Sequence, residues 1–219
     1  MQILARWALA GLMTLLPAPA PRAEQPRSSA ADVKTSSPTL NSPDAAFAVD
    51  TAIVFTADPR VSDALWEPLY AAIQLGVSEH AAEFRRLGIT SQPHLMRRLD
   101  FAVGEEFPLV LQVRLEGRCD VPVQAQHFIR PGPLGWVLLV NGEIQPFIYI
   151  DCTRLAQVLN PITLGENAAV RQRLMNSAIA NILLHEWIHV ASQSSRHSRH
   201  GLMQEQLSSR ELTTAAPPP

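Results

Sequence analysis

Residues 167–192 read NAAVRQRLMNSAIANILLHEWIHVAS, a run with neither Pro nor Gly. Val170, Leu174, Ala178 and Ile182, followed by Leu183, Ile188 and Val190, recur close to the 3.6-residue period, which predicts one long helix. Glu166 and Asn167, just after Gly165, supply a start signal. The polar, poorly helix-forming residues from Ser192 to Ser195 predict its end. His185 and His189 extend the row that contains Ala178 and Ile182, so both are expected to project toward the interior.

Within this helix stands His185-Glu186-Trp187-Ile188-His189. Two imidazoles four residues apart lie one above the other on a helix, so both can ligate one metal ion. Glu186, next to the first ligand, can then reach a metal-activated water and take its proton. These are the parts of a zinc hydrolase, most often a peptidase. A non-catalytic zinc-binding or interaction protein would need the histidines but not the carboxylate, and Glu186 is what separates the two readings.

A catalytic zinc usually takes three protein ligands and keeps a fourth position open. Downstream the chain offers His197 and His200. His197 is favoured, because Ser198-Arg199-His200-Gly201 then forms a turn leading to Met203 beneath the site. His200 remains as an alternative ligand, an outer group, or, with Tyr149, a stabiliser of the reacting carbonyl. A third ligand of the downstream-Glu kind is ranked last, since only Glu205 and Glu211 follow the motif.

The order HExxH, a further His, then a Met on a following turn resembles the metzincin branch of the zincin metallopeptidases. The match is incomplete: Ser192 and Ser195 stand where that branch has Gly and His, and the third His follows His189 by eight residues. The longer pattern is similar to a group of small, exported, largely uncharacterised bacterial HExxH proteins, through Gly117-Arg118-Cys119, Gly132–Trp136 and Pro146–Cys152, over residues 105–212. This resemblance implies a zincin-like fold with His185, His189 and His197 as Zn²⁺ ligands, and leaves the substrate open beyond a peptide or protein.

The amino terminus predicts the compartment. Met1–Ala23 carries Arg6, an apolar run from Trp7 to Leu16 and small residues with Pro, the pattern of a secretory signal peptide. That run is too short to span a bilayer, so no stable membrane span is expected in the mature protein. Residues 24–46, rich in Ser, Pro and Ala, and residues 213–219 lack a periodic apolar face and read as disordered. Residues 47–212 suffice for one domain with its own core. Removing residues 1–23 takes the formal charge from −2 to −4, because Arg6 and Arg22 leave and no acid does. A mildly acidic protein gives no electrostatic case for nucleic acid. The two cysteines, Cys119 and Cys152, are expected to form a disulfide in an exported protein.

The rest predicts an α+β layout, with a small, mostly antiparallel sheet packed against the HExxH helix. Thr51–Thr56 reads as a strand. A helix follows to Leu87, starting near Trp66 because Pro68 belongs in a first turn, with a core face of Leu69, Ile73, Val77, Ala81 and Phe84. Leu109–Leu115 reads as a second strand. Asn141-Gly142 marks a tight hairpin between Gly135–Val140 and a strand reaching Asp151. Pro146 suggests an edge position or a break in that second arm. A short helix over Thr153–Leu159 is expected to stop before Pro161. Phe147–Asp151, as the strand nearest the cleft, would then pair with an extended substrate.

Overall fold

The computed structural model describes residues 49–101, 104–124 and 131–213. The predicted signal peptide, the whole Ser/Pro/Ala-rich stretch 24–46 and residues 214–219 of the carboxy-terminal tail lie outside the described residues. Five strands and five helices follow in order: β1 (Thr51–Ala57), α1 (Trp66–Glu79), α2 (Ala81–Arg86), β2 (His94–Arg97), β3 (Leu109–Glu116), β4 (Gly135–Val140), β5 (Glu143–Asp151), α3 (Cys152–Thr163), α4 (Ala168–Ser192) and α5 (Ser209–Thr213).

The α+β class holds, and the sheet corrects the expectation of a mostly antiparallel one. Its order is β2-β1-β3-β5-β4. β1 runs parallel to both β2 and β3, β3 runs parallel to β5, and only β4 and β5 are antiparallel. The physical reason is connection length. Parallel neighbours need long crossovers, and α1 with α2 supplies one between β1 and β2. The Asn141-Gly142 hairpin lays β5 back between β3 and β4. Both turn residues have positive φ, 53° and 85°, as that tight turn requires.

Pro146 lies within β5, opposite the register shift between Val137 and Leu139 of β4. There the ladder is already interrupted, so the missing N–H costs little. β5 is therefore not an edge. It is flanked by β3 and β4, and the expectation that Phe147–Asp151 pairs with substrate is withdrawn. β2, with only four residues, gave no periodic signal in the sequence.

α1 begins at Trp66 as predicted, entered through a short turn that Ser62 caps by accepting from the Ala64 N–H. The helical stretch breaks at His80 and resumes as α2, and Gly88 then turns the chain at φ 69°. Gly76 inside α1 has a packing reason. A Cβ there would lie 2.6 Å from Leu184 Cδ1, so the glycine lets α1 close onto α4. α3 corrects a second boundary: it runs to Thr163 with Pro161 inside its last turn. Thr163 Oγ1 donates within that turn, to the Leu159 and Asn160 carbonyls.

α4 spans the predicted run, with Asn167 Oδ1 accepting from the Val170 N–H at 3.0 Å as its cap. It packs against α1, α3, α5, β4 and β5. From Ile182 to Val190 every residue is buried. One apolar cluster joins this helix to Ile53 and Phe55 of β1, Leu111 and Val113 of β3 and Ile148 and Ile150 of β5. The expected disulfide is present: Cys119 and Cys152 are joined, with Cα atoms 4.8 Å apart. No helix among the described residues is long and apolar enough to cross a membrane.

Candidate metal centre

The last turns of α4 set His185 and His189 side by side. Gln193 then adopts a left-handed conformation (φ 49°) that ends the helix and starts a return loop. The Gln193 side chain fixes that end in place. Its amide donates to the Ile144 and Val190 carbonyls and accepts from the Ile144 N–H. The loop folds back through Ser198, whose N–H donates to the Met203 carbonyl at 2.7 Å. This return carries His197 to the two helical histidines.

His189 Nε2 lies 3.1 Å from His185 Nε2 and 3.2 Å from His197 Nε2. The three ligand atoms all fall within 4.8 Å of one another. The other ring nitrogens are engaged by backbone: His185 Nδ1 with the Leu202 carbonyl at 2.7 Å, and His189 Nδ1 with the Ser194 carbonyl. A carbonyl only accepts, so each of these Nδ1 atoms carries the proton and each Nε2 presents a lone pair to the centre. Burial, with the neighbouring histidines adding to it, pushes His185 down to about 4 against the pull of the Leu202 carbonyl. Burial likewise holds His189 below its ordinary value. Both shifts favour the neutral imidazole, the form a metal ligand needs.

Lone pairs facing each other at such distances repel unless a cation sits among them. Tetrahedral nitrogen ligands about 2.0–2.1 Å from Zn²⁺ stand roughly 3.3–3.4 Å apart, close to two of the three separations here. The residues present therefore fit a metal ion, and an all-imidazole set suits several transition metals, zinc, copper, iron and nickel among them.

Glu186 is 7% exposed. Burial pushes its carboxyl up to about 7. It faces the start of β4, where a Cβ on Gly135 would come within 3.2 Å of Glu186 Oε1 and would overlap the Ile182 Cγ2 methyl. The histidines and Glu186 open into a cleft of about 690 Å³. Its walls come from residues 131–137, α3, α4 and the strap 204–207, and they are largely apolar, with Trp136, Val137, Leu139, Val158 and Leu207 among them. Trp136 is backed by Tyr149, the rings parallel with centroids 5.3 Å apart.

Of the residues singled out from the sequence, His185, Glu186, His189 and His197 converge. His200 does not: it is exposed, outside the trio, and its carbonyl accepts from Ser198 Oγ within the return loop. Met203 is partly buried against the core and does not line the cleft. Tyr149 supports Trp136 and does not line it either. Glu205 lies at the exposed strap, and Glu211 accepts from the Ser208 N–H. Sequence reasoning missed the carbonyls of Ser194 and Leu202, the Gly135 wall and Arg154. Gly132–Trp136 stood out in the sequence only as part of the longer resemblance. No protein-family model, curated protein or solved structure matches the chain.

Proposed function

We propose that this protein is a zinc-dependent hydrolase with a zincin-like site, acting on peptide bonds. The observation that carries the reading is the convergence of three imidazole nitrogens beside a buried carboxylate, at the wall of an apolar cleft. His185, His189 and His197 would hold the metal. Zinc, when bound, supplies Lewis acidity, which makes a water nucleophilic at neutral pH and polarises a carbonyl.

The chain's own groups do the rest. The Leu202 and Ser194 carbonyls hold two of the ligand rings in one tautomer and orientation. Glu186 accepts the proton of the attacking water and passes it to the departing amine nitrogen. The C–N bond breaks as the water oxygen bonds to the carbonyl carbon, leaving a carboxylate and an amine.

Substrate pairing belongs to β4, which replaces Phe147–Asp151 in that role. Among the described residues β4 is hydrogen-bonded on one side only, to β5, and its residues Trp136, Val137 and Leu139 line the cleft. The sequence GWVLLV carries no charge or Pro that would discourage an added strand. The opposite edge, β2, is guarded by ion pairs from Arg97 to Asp63 and Asp100. An extended peptide on β4 would run past Gly135 toward Glu186.

The test is hydrolysis of a mixed peptide library by the zinc-loaded protein and by Glu186→Gln. Cleavage by the first and loss of about 10²–10⁴-fold in the second, with zinc retained in both, is expected. Equal cleavage by both proteins would remove Glu186 from the mechanism.

A further inference from the structure

Among the described residues that line the cleft, Arg154 is the one that carries a permanent positive charge. It stands on the first turn of α3, and its side chain is only 16% exposed, between the 131–134 segment and Val158. Its described hydrogen bond is from Nη1 to the Pro133 carbonyl. Nε is buried with no partner. The Asp151 carboxylate lies 3.8 Å from Nη2, beyond hydrogen-bond reach, and caps α3 by accepting from the Arg154 backbone N–H at 2.9 Å. Asp151 therefore offsets part of the charge without filling the guanidinium's donors. Glycine at 132, with φ 133°, leaves the space that the guanidinium uses, since a Cβ there would overlap Nη1.

We infer that Arg154 is a specificity-determining residue whose guanidinium receives a carboxylate of the bound peptide. A planar fork held from one side by a backbone carbonyl is already oriented, so less freedom is lost when a carboxylate joins it. The apolar surroundings strengthen the attraction relative to a solvated surface arginine. Glu205 on the strap is exposed, and solvent screens its repulsion. Position follows from the wall itself. Arg154 abuts Gly132 and Glu186 abuts Gly135. Three extended residues span at most about 10–11 Å, so the acidic group falls a few residues along the peptide from the bond at Glu186. The choice of that bond rests on the hydrolase reading; the carboxylate subsite itself does not.

The test uses the full chain as Glu186→Gln, loaded with zinc, so that peptides bind without being cut. Fluorescence anisotropy compares an apolar peptide carrying one Glu, its Gln counterpart, both amidated at the carboxy terminus, and the Gln peptide with a free carboxy terminus. Binding of a carboxylate-bearing peptide about tenfold tighter than the amidated Gln peptide is expected. Which of the two wins identifies a side chain or a chain end as the ligand. In Arg154→Gln that preference disappears while the amidated Gln peptide binds as before. In Arg154→Lys part of it remains, and in the arginine protein it weakens as salt is raised. Equal affinity for all three peptides, or an equal loss for all three in Arg154→Gln, would overturn the inference and leave Arg154 a clamp on Pro133. If the unsubstituted protein cuts no peptide yet the preference holds, the hydrolase reading fails and the subsite stands.

Discussion

At position 135 only hydrogen fits between Ile182 and Glu186. A methyl group there would overlap a γ-carbon of a β-branched residue that has little rotamer freedom within a helix. Gly135→Ala is therefore expected to destabilise the fold by about 1–3 kcal/mol, read as a lower urea midpoint with an unchanged slope. An unchanged midpoint would mean that β4 and α4 do not meet as closely as described. At this scale the sequence disclosed two of the three clustered imidazoles because their spacing carries the geometry: two histidines four apart on a helix need no further information. His197 was legible by following the chain downstream. The Leu202 and Ser194 carbonyls were not, because a backbone oxygen has no identity in a sequence. Arg154 was not, because its place in the cleft depends on how α3 and the 131–134 segment meet.

Between elements, the junction of α4 with β5 rests on Gln193. Its side chain takes the part of a short strand, exchanging two hydrogen bonds with Ile144 and giving a third bond to the end of its own helix. Gln193→Ala leaves the Ile144 N–H and C=O without these partners, and a loss of about 2–3 kcal/mol is expected in denaturant unfolding. A loss within error of zero would mean that water replaces the side chain there. Helices were the more legible elements, since α1 and α4 carry their period locally and α4 also its cap at Asn167. The hairpin was legible through Asn141-Gly142. Strand direction was not, because alternation such as Leu111, Val113 and Leu115 reports which face is buried and says nothing of a neighbour's polarity. β2 was missed for a related reason: HLMR becomes a strand by pairing with β1, from Ala52 opposite His94 to Phe55 opposite Arg97. Pro161 misled because the tendency of helices to stop before proline is overridden locally: α3 continues through it to Thr163, whose Oγ1 donates to the Leu159 and Asn160 carbonyls.

Across the whole molecule, the disulfide ties the segment after β3 to the first residue of α3 over a separation of 33 residues. Closing such a loop restricts the unfolded chain, and replacing both Cys119 and Cys152 by Ala is expected to cost about 3–4 kcal/mol. Bound metal should add stability by mass action, about 2.7 kcal/mol at a hundredfold excess over its dissociation constant. The two effects act at separate places, so the gain on adding zinc should be similar with and without the disulfide. A gain that vanishes in the double-alanine protein would show that the disulfide also shapes the metal centre.

The most direct test of the central claim is the metal content of the purified full chain, set beside that of His197→Ala and His200→Ala. The convergence of His185, His189 and His197 predicts about one zinc ion per folded chain, lost in His197→Ala and kept in His200→Ala. A folded protein that holds no metal after zinc is supplied, or that loses it in His200→Ala and keeps it in His197→Ala, would contradict the account.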